Sequence, residues 1–600
     1  MAETSCWIGF LRRVSLVALL SCPLPALALE TSLSAPGASE DLQSRLSDSS
    51  SVMSAESRGL SSPQEILAAA LADYRTLVQI LYDEGYFSPV VNIRLDGREA
   101  ANIPALSTPS SFNRVEISIQ TGRPFTFKRA EIGPLAPDTE LPEEYAVGQP
   151  ATTGAIKDAG TEAIRAWRFA GHPKVKIGEQ RVVAVHSAAQ LDSDLEVLPG
   201  PKLRFGKMTL AGETAVKPES INRIAGFPTG EVYSPALVQK TGTRLRRTGT
   251  FRSVNIKEAE QPNADGTLDF EATFEDMPRR RLTFGAELAS RTGLDLTGIW
   301  MHRNFLGGAE RLRFEAQIRN IGGDEDIDGR IGVRLDQPDK LGPDDNIFYL
   351  GEIERRNRTH YNETRGLLGA GVRRVFSDDL YAEGFAAYSY SKADDAYGSN
   401  RPFHYLVLPF KAEWDRRDNP VSAKQGFFLD ARVSPFLGVS GTKSGAQFFV
   451  DGRGYVNPGG GRIVLAGRMQ IGSVVGPGPS EVTPSFLFFS GGAGTVRGQP
   501  YESLGIPVGT GIAGGKSFLG VAAEVRGHVT DNISLVGFFD YGAVDTSSFV
   551  SSNSTYHTGA GIGVRYDLGG FGPLRVDLAW PVDGPTDDGM QFYIGIGQAF

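Results

Sequence analysis

One arginine in a glycine-rich stretch is the residue of this chain best placed to form a specific charged contact. Arg497 lies within residues 491–505, which read GGAGTVRGQPYESLG. Glycine tolerates close packing and positive φ angles, so a fixed charge in such a loop is expected to face a particular partner. Because arginine and a carboxylate can form two charge-assisted hydrogen bonds at once, the natural partner is an acidic side chain shielded from water.

Asp540 is the candidate partner. In the strand-like segment 533–542, Leu535 and Phe539 share one face and Asp540 lies on the other. If the apolar face meets lipid, Asp540 points into a barrel lumen, and a loop spanning about 472–515 could carry Arg497 there. The alternative is that Arg497 lies on an exposed loop and Asp540 is one of several lumen charges. The same alternation is shown by Glu524, Arg526, Arg565, Arg575 and Asp577.

Motifs for catalysis and cofactor binding are weak by comparison. Residues 511–517, GIAGGKS, nearly match a phosphate-binding loop, but Thr510 stands where the first glycine is required. Residues 518–525 then alternate like a strand and provide no helix N-terminus for a phosphate. The seven histidines lack ligand spacing, and no serine lies in a recognisable nucleophile elbow. We therefore expect a protein that is not an enzyme and has no metal or other cofactor.

The composition favours a β-rich protein and disfavours a nucleic-acid-binding one. The chain has 600 residues with 72 glycines and 10% aromatic residues, and its 61 basic side chains are outnumbered by 70 acidic ones. A nucleic-acid-binding surface requires a basic excess. No nucleic-acid partner is expected.

The N-terminus is typical of a secretory signal peptide, which we assign to residues 1–28. Arg12 and Arg13 precede an apolar run at 14–20, and Ala26-Leu27-Ala28 provides small residues at the cleavage spacing. A lipoprotein processing site at Cys22 is the alternative. No other run approaches the roughly 18 apolar residues of a spanning helix, so a membrane location would require a β-barrel.

Three helical segments follow a serine-rich stretch, residues 29–61, that we expect to be loose. The first helix is predicted to begin at Ser62 and Pro63, a capping residue followed by proline at the first helical position, and to end before Gly85. Helices at about 153–169 and 235–248 likewise end before a glycine and precede extended segments. The recurrence predicts tandem α/β domains at 62–123, 124–200 and 201–278.

The remaining residues, 279–600, read as an all-β transmembrane barrel of about sixteen antiparallel strands. Their segments alternate apolar with polar or small side chains between Gly, Asp and Asn turns. In residues 573–580, for example, Leu574 and Val576 share one face while Arg575 and Asp577 share the other. A soluble β-sandwich would also alternate, but this region is longer than a normal sandwich.

Residues 491–505 resemble the arginine-glycine loop motif of the outer-membrane assembly superfamily that includes BamA, TamA and the two-partner secretion transporters. The three α/β units resemble POTRA domains, and further similar segments lie at 303–310, 415–420, 538–542 and 559–577. The matching loop residues are Gly491, Gly492, Val496, Arg497, Gly498 and Tyr501. The resemblance implies a lumen lock, in which Arg497 and Gly498 of the loop hold Asp540. The family usually has an aromatic residue after Arg-Gly, and Gln499 here leaves open whether a stacking contact is made.

Three POTRA-like units favour the TamA branch of this superfamily, since BamA has more units and two-partner transporters have two. The resemblance implies an outer-membrane protein with periplasmic POTRA domains that insert or translocate client chains. Its implied partners are a TamB-like periplasm-spanning protein, unfolded outer-membrane or autotransporter proteins, and outer-membrane lipid.

A client strand could be templated only at a weak seam of the barrel, because a closed barrel has no edge. We expect that seam between the first and last strands, at about 281–290 and 591–600. Its candidate residues are Phe284, Gly595, Gly597 and Phe600. A passive porin and a lipid-transport component are the alternatives, although a porin has no use for three periplasmic domains.

Overall fold

The computed structural model describes residues 29–55, 60, 62–289, 293–323, 325–568, 573–586 and 588–596. The expected signal peptide, 1–28, lies outside the described residues. None of the helices described is both long and apolar enough to cross a membrane. The chain divides into two compact bodies, each treated separately below. The N-terminal body comprises residues up to 204 with 232–235, and the C-terminal body comprises 205–231 with 236–600.

The first α/β domain begins earlier than the sequence indicated. Its elements are β1 (Glu30–Ser34), α1 (Glu40–Ser49), α2 (Pro63–Asp83), β2 (Val90–Leu95), β3 (Arg98–Glu99) and β4 (Arg114–Gln120). The sheet order is β1-β4-β2-β3, with β1 parallel to β4. Helix α2 begins as predicted, because Ser62 and Glu65 form a reciprocal capping box.

The expectation that residues 29–61 are loose is wrong for the part of that segment that the structure describes. Besides forming β1 and α1, the segment is anchored by Asp73 of α2, whose side chain is fully buried. This carboxylate accepts hydrogen bonds from the Ser50 hydroxyl at 2.6 Å and from the Val52 backbone N–H at 3.0 Å. The serines thus satisfy a buried charge, which composition alone did not reveal.

The second and third α/β domains repeat this plan. The second contains β5 (Thr126–Gly133), α3 (Thr153–Phe169), β6 (Lys176–Val185) and β7 (Gln190–Leu198), in the sheet order β5-β7-β6. The third contains β8 (Arg204–Ala211), α4 (Pro218–Ala225), α5 (Pro235–Arg247), β9 (Phe251–Glu258) and β10 (Thr267–Asp276), in the order β8-β10-β9. In each domain helices cover a small sheet and bury an apolar core between them.

The rest of the C-terminal body is one large antiparallel sheet whose strands pair in chain order. The strands are β11 (Arg280–Ala289), β12 (Gly293–Arg303), β13 (Arg311–Ile321), β14 (Asp328–Pro338), β15 (Asp345–Arg358), β16 (Tyr361–Val375), β17 (Leu380–Asp395), β18 (Gly398–Val407), β19 (Phe410–Asp415), β20 (Gly426–Gly438), β21 (Gly445–Val456), β22 (Ile463–Val475), β25 (Ser517–His528), β26 (Ile533–Asp545), β27 (Thr555–Asp567), β28 (Pro573–Asp583) and β29 (Gln591–Ile596). A short hairpin, β23 (Ile506–Val508) and β24 (Gly511–Ala513), lies between β22 and β25.

The predicted fold class is confirmed, with 17 strands in the sheet described here where about sixteen were expected. The difference arises at Pro409, which separates β18 from β19. Both of these short strands pair with β17 on one side and with β20 on the other, so they occupy a single row of the sheet. Proline lacks the N–H that an uninterrupted ladder needs.

The two faces of the sheet have opposite chemistry. On β26, Leu535 is 55% exposed and Phe539 is 48% exposed, whereas Asp540 is 1% exposed. The exposed face is apolar, as for a wall that faces lipid, and the buried face carries the charges. The segment 511–517, which resembled a phosphate-binding loop, forms β24 and the start of β25 and does not open a helix.

Candidate functional site

A long loop between β22 and β25 is folded against the inner face of the barrel wall. This segment, residues 476–516, is called the lumen loop below. Although a connection, it is deeply buried: Ser490, Val496 and Gln499 are each 0% exposed and Arg497 is 4% exposed. Connections normally lie on the surface, because buried backbone groups need partners. The backbone of Ser490 meets this need by exchanging hydrogen bonds with Leu504 across the loop.

Arg497 and Asp540 are brought together. The Arg497 Nε donates to Asp540 Oδ2 at 2.7 Å, and its Nη2 donates to Oδ1 at 2.8 Å. The backbone N–H of Arg497 also donates to Oδ2, at 3.0 Å. The pair is therefore bidentate, and a main-chain hydrogen bond reinforces it. These contacts fix the position of the loop backbone as well as that of the charged side chain.

Two further carboxylates surround the same guanidinium. Nη1 of Arg497 donates to Glu524 Oε1 at 2.5 Å and lies 3.6 Å from Asp577 Oδ2. Beneath these contacts, the Cζ atom is 3.6 Å from the ring centroid of Phe538, an arrangement that adds cation–π attraction. Every donor edge and one face of the guanidinium are thus occupied.

Three more arginines contact these acids. Arg565 pairs with Asp577, and Arg526 donates to Glu524 at 2.8 Å. Arg575 lies 3.9 Å from Asp577. Four arginines therefore meet three carboxylates in a site where the acids are at most 2% exposed. Buried charges of this kind are tolerated only when paired, so the members of the cluster depend on one another.

Glycines allow the loop backbone to approach the barrel wall. A side chain on Gly559 of β27 would overlap the carbonyl oxygen of Arg497. Gly498 has φ of +92°, and a Cβ there would lie 2.5 Å from the carbonyl oxygen of Trp580. At Gly492, which has φ of +88°, a Cβ would lie 3.0 Å from the ring of Tyr501. The predicted motif glycines are thus needed for close approach and for backbone conformation.

Gln499, the departure from the resembled motif noted above, acts through hydrogen bonds. Its Nε2 donates to the carbonyl oxygen of Thr558 at 2.7 Å, and its Oε1 accepts from the Thr586 hydroxyl at 2.7 Å. Nearby, His557 is buried and contacts the hydroxyls of Ser490 and Thr586, each at 2.8 Å. Polar contacts therefore attach the loop to β27 beside Arg497.

Sequence reasoning placed Glu524 and Asp577 among the inward-facing charges but did not assign them to Arg497. Gln499 was noted only as a departure, and His557 only as one of the scattered histidines. The alternation along β25 and β28 was the signal that could have located the two acids. Nothing in the local sequence indicated that His557 would meet the loop, because its partner Ser490 is 67 residues away.

The proposed seam residues are partly described. Phe284 on β11 is 76% exposed, and Gly595 lies on β29 opposite Arg575 of β28. Gly597 and Phe600 lie outside the described residues. The strand order of the described sheet ends at β11 and β29, and Cα atoms of these two strands come within 8 Å of each other. The first and last strands are therefore neighbours.

Two family models match this chain. Residues 304–600 match the Omp85 superfamily domain, and residues 203–273 match POTRA, described as a surface antigen variable number repeat. The structure of BamA from Haemophilus ducreyi lacking POTRA domains 1–3 is similar, with a TM-score of 0.62 at 16% identity, covering 79% of this chain and all of that one. This similarity shows the fold.

Two structures of CdiB also align. CdiB from Acinetobacter baumannii has a TM-score of 0.48 at 12% identity and covers 80% of this chain and 90% of its own. CdiB from Escherichia coli has a TM-score of 0.45 at 13% identity, over 80% and 91%.

Proposed function

Because the chain carries an Omp85 superfamily domain preceded by a POTRA domain, we propose that it is an outer-membrane protein that assists the insertion or secretion of other proteins. The POTRA domains would lie in the periplasm and the barrel in the outer membrane. No catalytic step or cofactor is required, because strand pairing and apolar burial of the client in lipid supply the driving force.

The observation that carries this proposal is the lumen lock, together with its acidic neighbours. A loop held by a guanidinium that contacts Asp540 and Glu524 occupies the inner side of the barrel wall. A passive porin needs a water-filled lumen, which a loop held against the inner wall would narrow. The arrangement instead suits a barrel whose lumen loop stays in place while client chains are inserted or translocated at its wall.

Clients would bind first at the exposed edges of the small POTRA sheets. In the second domain, β6 is an edge strand that pairs with β7 alone in the described sheet. Its Val182 and Val183 are 45% and 40% exposed. An extended client segment can add to such an edge through main-chain hydrogen bonds. The barrel would then pass the client strand to lipid at the junction of β11 and β29.

At a finer level, we propose that the chain acts as a TamA-type factor with a TamB-like periplasm-spanning partner. Three α/β domains ahead of the barrel support this assignment. Unfolded outer-membrane or autotransporter proteins would be the clients. Outer-membrane lipid would be the surrounding solvent for the inserted chain, or the cargo itself if the protein works in lipid transport.

Depletion of the protein is the experiment that tests this function. Outer-membrane proteins and lipids would be quantified in the same cells, before and after depletion. We expect a selective fall in a subset of barrel proteins with lipid composition unchanged. A change in lipids alone would support the lipid-transport alternative, and large stable conductance with unchanged protein levels would support the porin alternative.

A further inference from the structure

A cavity of about 210 Å³ lies within the C-terminal body, between the third POTRA domain and the barrel strands nearest to it. The lumen lock plays no part in it. We call it the junction cavity and define it by its lining residues. These are Ile224, Arg244, Arg247, Thr248, Ala309, Arg311, Asp336, Pro338, Pro343, Asn346, Arg373 and Val375. At about 30 Å³ per water molecule, it has room for a small anion with several waters.

Four arginines line this cavity, and nearby carboxylates engage only two of them. Asp344, in the turn between β14 and β15, accepts from Arg244 Nη2 at 2.6 Å and from Arg247 Nη2 at 2.9 Å. The carboxylate in the lining, Asp336, lies opposite Arg311 across the β13–β14 ladder but forms its ion pair with Arg334, whose Nε lies 3.0 Å away. The remaining two arginines, Arg311 and Arg373, give the cavity an excess of positive charge.

Neither remaining arginine forms an ion pair with a carboxylate in the part of the chain that the structure describes. Arg311 begins β13, and its Nη1 lies 3.9 Å from the position that a Cβ on Gly249 would occupy, so its guanidinium is directed at the third POTRA domain. Arg373 on β16 stacks on Tyr381, with Cζ 3.7 Å from the ring centroid. Stacking uses the face of a guanidinium and leaves its in-plane N–H donors available.

The C-terminal end of α5 offers Arg311 a partial negative charge, since the helix ends at Arg247. That partial charge is not a full counterion for two guanidinium groups. An arginine cluster without matching carboxylates is the arrangement that phosphate groups occupy in proteins, because three oxygens can accept from several planar guanidinium forks at once. A carboxylate has two oxygens and would satisfy fewer of these donors.

We propose that the junction cavity binds a phosphate group, held by Arg311 and Arg373 with Arg244 and Arg247 beside them. The cavity lies where barrel strands meet the POTRA domain. A phospholipid headgroup and free phosphate share the chemistry required. Binding would join the two parts of the C-terminal body through a shared anion.

The experiments that test this proposal and identify the source of the phosphate use the full chain in lipid nanodiscs. Retention of phosphatidylglycerol after delipidation would be measured by native mass spectrometry, and binding of inorganic phosphate to the delipidated protein by calorimetry.

The test variant is Arg311→Gln combined with Arg373→Gln. The control, Arg246→Gln with Arg252→Gln, removes the same charge from exposed positions of the third POTRA domain. Since a charge-assisted hydrogen bond contributes about 1.5–3 kcal/mol, we expect at least a tenfold loss of affinity in the test variant and no change in the control.

Retention of the lipid by wild type but not by the test variant supports a headgroup as the source, whereas binding of inorganic phosphate alone supports a soluble one. Equal binding by wild type and test variant, or binding of acetate as tightly as phosphate, would overturn the proposal. Should the test variant fail to fold, wild-type protein can be treated with phenylglyoxal and its arginines mapped. Phosphate should slow modification of Arg311 and Arg373 relative to Arg246, and equal rates with and without phosphate would also overturn the proposal.

Discussion

Arg497 is a positioning residue whose guanidinium is shared among acids from three strands. Asp540, Glu524 and Asp577 come from β26, β25 and β28, so one loop side chain connects neighbouring parts of the wall. Replacing buried charges by apolar groups can be neutral, but removing one partner leaves the others uncompensated. The arginine therefore holds the lumen loop in a single arrangement more than it adds net stability.

Arg497→Ala should release the lumen loop. We expect the free energy of unfolding to fall by about 3–5 kcal/mol, because buried Asp540 loses the one arginine it pairs with among the described residues. Limited proteolysis would show new cleavage within residues 476–516 while heat-modifiable migration still reports an assembled barrel. The matched control is Arg416→Ala, whose side chain is 58% exposed and pairs with Asp379; it should change stability by at most about 1 kcal/mol. Unchanged cleavage in Arg497→Ala would contradict the lock.

Gln499→Leu should loosen the same loop by a different route. The substitution keeps the size of the side chain but leaves the Thr558 carbonyl and the Thr586 hydroxyl without their partner. An unsatisfied buried polar group costs about 1–3 kcal/mol, so stability should fall by that amount. Denaturant unfolding would measure the fall, with Gln591→Leu at the half-buried start of β29 as control. Equal stability of the two variants would mean that Gln499 serves only to fill space.

At the scale of elements, the barrel wall is continuous except where its first and last strands meet. Within the described residues, each strand of this sheet from β12 to β28 is hydrogen-bonded to a neighbour on both sides, whereas no ladder joins β11 to β29 there. Gly595 contributes no side chain to brace β29. We therefore expect that opening the wall between β11 and β29 costs less free energy than opening it between two paired strands.

A disulfide across that junction should stop activity if the seam opens. Cysteines would be placed at Gly595 and, in turn, at Thr283, Phe284 and Gly285, since the two native cysteines lie at positions 6 and 22. Client insertion would be measured in oxidised and reduced proteoliposomes. We expect insertion only after reduction, because a bridged seam cannot admit a client strand.

The matched control for the tether joins two strands that are already paired. Leu578 and Phe592 lie opposite each other on β28 and β29, so a cysteine pair there adds a bridge without closing the seam. Oxidised protein of the control should insert clients as well as reduced protein does. Full insertion by the oxidised seam variant would defeat the lateral-opening hypothesis.

At the scale of the C-terminal body, the third POTRA domain is attached to the barrel by polar contacts. Lys217 donates its backbone N–H to the Gly307 carbonyl at 2.8 Å, and Asn304 Nδ2 donates to the Ala215 carbonyl at 2.7 Å. Arg223 pairs with Asp339 at 2.9 Å. Together with the contacts of Asp344 to α5, these bonds involve both helices of the domain. The third domain is therefore held to the barrel at several points.

Acid should loosen this attachment through Asp344. Hydrogen bonding from Arg244, followed by Arg247, lowers the pKa of Asp344 below its ordinary value of 3.8, and burial opposes the shift. A carboxyl with a lowered folded-state pKa contributes stability above its unfolded pKa and loses it as pH falls through the folded value. Hydrogen-exchange protection of α5 should therefore persist from pH 7 to about 4 and fall below that.

Asp344→Asn should reduce protection of α5 at neutral pH and remove its dependence on acid. Asp265→Asn is the control, because Asp265 also has a lowered pKa, caused by hydrogen bonds from Thr267, but lies in the β9–β10 turn away from the barrel contacts. Protection in the control should match that of wild type across the range. The same acid response in Asp344→Asn as in wild type would assign the effect to another group.

The sequence by itself determined three of the five α-helices described and the strands of the barrel, because their signals are local. Capping at Ser62, glycines after the helices and the alternation of residues 279–600 depend on neighbours within a few positions, and these features predicted those helices and the barrel. The same alternation placed Asp540 inside, and the glycines around Arg497 indicated a loop in close contact with its surroundings. Those inferences needed no knowledge of which segments meet.

Only the tertiary structure decided which groups meet. Glu524 and Asp577 join Arg497, and Asp73 orders a serine-rich segment that composition suggested was loose. Arg497 is 27 residues from Glu524 and, from positions 497 and 577, 80 residues from Asp577, and Asp73 is 23 residues from Ser50. Pairing over such distances depends on strand register and on how the loop folds back, and neither leaves a periodic trace in the chain. The burial that makes Arg497 a shared counterion is therefore a property of the assembled barrel.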